Sequence, residues 1–307
     1  MLAIETDNLS KNYHEFQALN NVNLKIESGS IYGFIGLNGA GKTTTMRILL
    51  NMIKASKGNA QILGQDISHV SAEFWNQVGY LIETPHAYKN MTVKENLDIY
   101  GELRMLSKHD RRKRINELMD ILQLTQYKNT LVRDLSLGNN QKIGLIKALI
   151  HHPKILLLDE PTNGLDPTGL TAVRRLILDE AKNYGTTILI SSHILDEMEK
   201  MVTEIGILNH GQLILQQSRN EFEKDARKTL HLKFSSASDM QAAKIVMKYI
   251  LVRESPKERK IEVPIIAEKT VNQVEQTLAT NQIFPISNHV ERESLEKYFL
   301  REIGEKQ

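Results

Sequence analysis

The chain has 307 residues, 41% hydrophobic and 25% charged, a balance that lets one large domain or two modest ones bury a core and that excludes a disordered chain. A formal charge of +2 supplies no concentrated basic face, so no nucleic-acid partner is expected. The lack of cysteine excludes disulfides and thiolate chemistry, residues 1–7 lack a secretory-signal pattern, and no apolar run reaches the roughly 20 residues that span a bilayer.

In chain order, short apolar runs predict strands at 2–4, 24–26, 31–35, 78–82, 155–158 and 186–190. Several lack polar alternation, which suits strands of a parallel sheet covered on both faces. A helix is predicted over 44–51. After Lys108, the residues Ile115, Leu118, Met119 and Leu122 keep the i, i+3, i+4, i+7 spacing of an amphipathic helix, and the basic run 108–114 is expected to be its solvated start. Residues from about 85 to 150 look helical and interrupt the strands, as an inserted subdomain would. Near 220 the pattern changes to strands at 230–234 and 261–265 with helices at 240–251 and 271–278. The charged linker 254–260 contains the turn pair Ser255-Pro256. A final helix is expected to pack through Leu295, Phe299 and Leu300. The expected organisation is therefore an α/β domain over 1–220, then a small α+β appendage over 221–307.

The sharpest local pattern is Gly36-Leu37-Asn38-Gly39-Ala40-Gly41-Lys42-Thr43, followed by Thr44. It satisfies the Gly-x4-Gly-Lys-Ser/Thr form of a phosphate-binding loop, between an apolar strand and a helix. Glycines without Cβ atoms let successive backbone N–H groups curl around phosphate oxygens at a helix N-terminus. Lys42 is expected to reach the β- and γ-phosphates, and the Thr43 hydroxyl to coordinate Mg²⁺. The run Ile155-Leu156-Leu157-Leu158 then delivers two acids to a strand end. Asp159 is placed to hold Mg²⁺ through water, and Glu160 to polarise an attacking water. These two motifs suit many nucleoside triphosphatases and kinases.

A third motif separates them. Leu135-Ser136-Leu137-Gly138-Asn139-Asn140-Gln141 resembles the signature motif of ATP-binding cassette proteins, and it precedes the acidic pair as in that family. Asp166, in Asn163-Gly164-Leu165-Asp166, is similar to the D-loop aspartate. His193, after Ser191-Ser192, is similar to the switch histidine, and Tyr13 to the aromatic residue that stacks on adenine. Adenine stacking is the expected role of Tyr13, with packing in a β-subdomain as the alternative for a lone aromatic.

The resemblance implies an α/β P-loop cassette with an antiparallel β-subdomain and an inserted helical subdomain, using ATP and Mg²⁺. It implies that Ser136, Gly138 and Gln141 meet the γ-phosphate held by a second subunit, identical or related. Where the family usually has a Q-loop glutamine, Val78-Gly79-Tyr80-Leu81-Ile82-Glu83 places Glu83, a carboxylate able to reach the metal and the water. That variant resembles the subgroup that exports bacitracin or lantibiotics and protects the producing cell. Such a subunit works beneath a separately encoded permease, peripheral to the cytoplasmic face of a bacterial membrane. Export of another drug, a lipid or a polysaccharide stays open. A soluble cassette factor acting on ribosomes fits less well, because the chain has one P-loop and no basic extension. A small-molecule kinase lacks a recognisable acceptor pocket.

Overall fold

In a computed structural model, which describes residues 1–83, 86–247, 253–265 and 269–304, three runs without alternation form the centre of a six-stranded sheet. Ile31–Ile35, Ile155–Asp159 and Thr187–Ser191 are buried at every position. Only strands covered on both faces tolerate such continuous apolar sequence. The strand order is Gln212–Ser218, Glu204–Asn209, Ile31–Ile35, Thr187–Ser191, Ile155–Asp159, Val78–Leu81. Every neighbouring pair is parallel except the hairpin formed by the first two.

A second, antiparallel sheet is built on Leu2–Tyr13, which pairs with Phe16–Val22, Lys25–Glu27 and Lys57–Ile62. The apolar run at 2–4 marks only its first turn of sequence. Beyond it the strand mixes polar and buried positions, a half-buried pattern invisible to a search for apolar runs. The helices Val93–Leu103, Lys108–Ile121 and Leu137–Leu149 lie between Val78–Leu81 and Ile155–Asp159. Position 85, the expected start of the helical stretch, lies outside the described residues.

In Lys108–Ile121 the stripe of Ile115, Leu118 and Met119 is buried, and so is Leu122 just beyond the helix. Its basic start is not uniformly solvated, however. Arg114 is buried with 5% of its side chain exposed, paired to Glu180, whose side chain is 1% exposed. Arg111 leans on Asp98 and Glu102. A run of like charges was expected to face water, but 114 falls one position before Ile115 on the inward side of the helix, where a carboxylate from Pro167–Tyr184 meets it.

The chain divides into two compact units, Met1–Arg219 and Asn220–Gln307. The second is a four-stranded antiparallel sheet ordered Arg253–Ser255, Lys260–Ile265, Lys228–Lys233, Ser287–Arg292. Leu230, Leu232, Ile261 and Val263 form its inner face, packed on Met240, Ala243, Val274 and Leu278 from the helices Ala237–Val246 and Lys269–Thr280. Positions 248–251 of the helix expected over 240–251 lie outside the described residues. Ser287–Arg292 is too polar to read as a strand from its sequence. In the last helix, Leu295–Gly304, Leu295 and Phe299 are buried as expected, but Leu300 is 53% exposed. Tyr298 and Ile303 occupy the inner stripe instead, since i+3, i+4 and i+8 from Leu295 share its face while i+5 does not. No helix among the described residues is long and apolar enough to cross a membrane.

Candidate nucleotide site

The loop at residues 36–43 joins the buried strand Ile31–Ile35 to the helix Lys42–Leu49. Two glycines are required by geometry rather than by flexibility alone. A Cβ on Gly36 would lie 2.5 Å from the Leu208 carbonyl oxygen, and one on Gly41, at φ +111°, would lie 2.8 Å from that of Ala18. Gly41 is the N-cap of the helix, which moves the helix start two residues ahead of the expected 44. Lys42 Nζ donates to the carbonyls of Gly36 at 2.6 Å and Leu37 at 3.2 Å. Burial lowers its pKa, opposed by the nearby charges of Glu160 and Asp159. Leu37 itself is exposed.

The acidic pair sits against this loop. Thr43 Oγ1 donates to Asp159 Oδ2 at 2.5 Å, and Ser191 Oγ donates to Asp159 Oδ1 at 2.6 Å. Glu160 takes a left-handed backbone, φ 51°, which costs a residue with a side chain about 1–3 kcal/mol. Contacts to Ser191, Gln141 and His193 hold it there. Its N–H donates to the carbonyl and hydroxyl oxygens of Ser191 at 3.2 and 3.0 Å, and its carbonyl accepts from Gln141 Nε2 at 3.1 Å. Its Oε2 accepts from the His193 backbone N–H at 3.1 Å and lies 2.6 Å from His193 Nδ1. The turn after the strand thus aims a carboxylate and an imidazole at the same space.

A cavity of about 270 Å³ opens between the loop and the antiparallel sheet. Asn38, Gly39, Ala40, Gly41, Lys42, Thr43 and Thr44 form one wall, with Asp159 and Glu160 at its end and Tyr13 opposite. Phe16, paired in register with Tyr13, lines it too. Tyr13 is 40% and Phe16 63% exposed. Phe16 and Ser191 were not singled out from the sequence. The signals were present: a second aromatic across a two-residue turn, and the last residue of a buried strand just before Ser192-His193.

Glu83 is not brought to this cavity. Its carboxylate pairs with the Arg47 guanidinium on the helix that follows the loop, and its backbone is left-handed at φ 60°. The aligned position alone could not reveal Arg47 as the nearer charge.

Ser136 and Gly138 of the signature border a separate space, whereas Gln141 reaches Glu160 instead. Ser136 is the N-cap of Leu137–Leu149, its Oγ accepting from the Asn139 N–H at 3.2 Å. A Cβ on Gly138 would lie 2.4 Å from the Gly164 carbonyl oxygen, so this glycine permits close packing against the turn at 163–166. Asp166 caps Pro167–Tyr184, accepting from the Thr168 hydroxyl at 2.6 Å and the Gly169 N–H at 3.0 Å. These bonds hold its carboxyl below the usual range. Ser136, Gly138, Lys142, Gly164 and Asp166 line a second cavity of about 270 Å³ that shares no lining residue with the first.

The family described as ABC transporter matches residues 19–163. A bacitracin transport ATP-binding protein of Bacillus licheniformis is 39% identical over 244 residues, covering 80% of this chain and 78% of that protein. A lantibiotic transport ATP-binding protein of Streptococcus pyogenes is 37% identical over 213 residues, 69% of this chain and 90% of that one. The solved structure of an ATP-binding subunit of an ABC transporter superposes with a TM-score of 0.67 at 27% identity, over 73% of this chain and 92% of the other.

Proposed function

The chain belongs to the ABC transporter family of ATP-binding proteins, and from that premise we propose that it is the ATP-hydrolysing subunit of a peptide-antibiotic exporter. The observation that carries the chemistry is the Glu160–His193 contact of 2.6 Å beside the Thr43–Asp159 contact of 2.5 Å. Lys42 exchanges its loop carbonyls for the β- and γ-phosphates, and the loop N–H groups surround the phosphate oxygens. Tyr13 and Phe16 form an aromatic wall for adenine. Glu160 takes a proton from the attacking water, and His193, held beside Glu160, stands where it can contact the γ-phosphate.

The Thr43, Asp159 and Ser191 oxygens form an all-oxygen set of the kind Mg²⁺ prefers, and Thr43 and Asp159 would hold it. A bound Mg²⁺ would supply positive charge that offsets the charge of the phosphate oxygens. Glu83, tied to Arg47, is assigned to coupling with the permease rather than to the metal.

The cavity around Tyr13 and Lys42 contains no signature residue among those that line it. This supports a dimer in which Ser136 and Gly138 of each subunit complete the other's site, with Asp166 at the interface, whereas Gln141, expected to act there too, is buried and bonded to Glu160 of its own chain. The nucleotide chemistry is assigned to residues 1–220 and an accessory role to 221–307. A separately encoded permease at the membrane would use dimer closure and opening, because ATP and its products favour different states.

The cargo reading is supported by the bacitracin and lantibiotic relatives. Purified Glu160→Gln is expected to keep ATP while turning over about 10²- to 10⁴-fold more slowly, the usual contribution of a positioned general base. Unchanged turnover would remove Glu160 from that role. Co-expressed with its permease, the wild-type chain should raise resistance to bacitracin or a lantibiotic, and Glu160→Gln should not. Equal sensitivity with and without the chain would move the cargo to another drug or a lipid.

A further inference from the structure

The sheet of the second unit has an outward face that nucleotide chemistry does not use. His231, on the central strand Lys228–Lys233, stands directly opposite His289 on Ser287–Arg292 and opposite Glu262 on Lys260–Ile265. Residues two apart on a strand share a face, so Glu291 stands beside His289. His231 Nε2 lies 3.2 Å from Glu291 Oε2, and His231 Nδ1 lies 3.6 Å from Glu262 Oε1. One ligand atom each from His231, His289 and Glu291 can be chosen so that all lie within 4.8 Å of one another. His231 is mostly covered, at 15% side-chain exposure, and with Glu262 and Glu291 it lines a cavity of about 610 Å³.

We propose that His231, His289 and Glu291 bind a divalent transition metal of the zinc type, with a water as the fourth ligand and Glu262 orienting His231 through its other ring nitrogen. Two imidazoles and a carboxylate are the donor set of open zinc sites, whereas Mg²⁺ and Ca²⁺ prefer oxygen alone. Ligand atoms around a tetrahedral ion with bonds of about 2.0–2.1 Å stand about 3.3 Å apart, close to the His231–Glu291 separation. The rigid part of the site is already fixed: the alternate residues Leu230, Leu232, Ile261 and Val263 are buried in the core and hold two of the three strands in register. The adjustable part is His289. Its ring now stacks on His231 with centroids 5.0 Å apart and planes 10° apart, and parallel rings cannot both point at one ion. His289 is exposed, so its ring can turn to bring a nitrogen in. Lys297 sits 3.2 Å from Glu291 Oε1, which leaves Oε2 for the ion. A bound metal would tie the polar edge strand Ser287–Arg292 to the centre of the sheet.

The full-length chain, stripped with a chelator and kept in excess Mg²⁺, should bind one equivalent of Zn²⁺ in a calorimetric titration. His231→Ala, His289→Ala and Glu291→Gln should each weaken binding by about tenfold or more, at least the effect of losing an outer-shell partner. Co²⁺ in place of Zn²⁺ should give the intense visible bands of a four-coordinate site. His289→Ala and Glu291→Gln alter exposed side chains and keep the test valid should His231→Ala fail to fold. Absence of Zn²⁺ uptake in excess Mg²⁺, or uptake with the same affinity in His289→Ala and Glu291→Gln, would overturn the proposal.

Discussion

Lys42 is held by the same loop it is proposed to serve. Its ammonium is largely buried, its charged form disfavoured by burial and restored in part by Glu160 and Asp159. Phosphate oxygens would replace the Gly36 and Leu37 carbonyls as acceptors and add opposite charge. Lys42→Ala is therefore expected to weaken ATP binding by about 10- to 100-fold, the scale of one charged hydrogen bond; an unchanged equilibrium binding curve would take Lys42 out of the phosphate site. The loop residues were legible because their chemistry depends on contiguous order. The partners of Ser191 and Gln141 were not, because these side chains reach Asp159 and Glu160 across separations of 32 and 19 residues. No local pattern says which hydroxyl or amide will stand beside an acid on a neighbouring strand.

At the scale of elements, the helical stretch is fastened to the helix Pro167–Tyr184 and to the edge strand Val78–Leu81 by groups whose character the sequence conceals. Arg114 and Glu180 are both buried, and burial raises the Glu180 pKa more than Arg114 lowers it. Arg114→Met would leave that carboxyl without its cation, and a loss of about 3–5 kcal/mol is expected by denaturant unfolding. Replacing both residues with apolar ones of similar size should recover much of the loss. If Arg114→Met were as stable as wild type, the pair would not be a fastening.

His151 follows the helix Leu137–Leu149 and touches the edge strand. Its Nε2 lies 3.2 Å from the Val78 carbonyl oxygen, to which it donates, while Nδ1 is buried without a partner among the described residues. Burial, then the charge of Arg104, lowers its pKa from 6.5 to about 4. Protons are therefore bound more readily by the unfolded chain between those values. The stabilisation from keeping the ring neutral is complete above pH 6.5 and is lost as the pH falls towards 4, by about 3 kcal/mol at most. The melting temperature of the wild type should fall more steeply over that window than that of His151→Gln. Parallel curves for the two proteins would count against His151 as the cause.

At the scale of the whole molecule, the two cavities around Lys42 and Ser136 are treated as halves of a site completed by a second chain. Mixing two inactive variants tests this directly. Lys42→Ala has an intact signature, and Ser136→Arg an intact phosphate loop. If the halves combine between subunits, a mixed dimer contains one whole site, and the mixture should regain ATP hydrolysis that neither variant shows alone. Halves combining within one chain would leave the mixture inactive.

The order of motifs along the chain was enough to propose a phosphate loop, an acidic strand end, a signature and a switch histidine, and nearly uninterrupted apolar runs were enough to locate the buried strands. Both are local properties: a loop can curl around phosphate because of its own glycines, and a strand covered on two faces shows in sequence as an apolar run with little polar interruption. Tertiary structure alone decided that Glu83 meets Arg47, that Arg114 turns inward to Glu180, and that Leu300 faces outward while Tyr298 does not. It alone aligned His231 with His289 across two strands. Those outcomes depend on strand register and helix rotation, where a shift of one residue exchanges inside for outside.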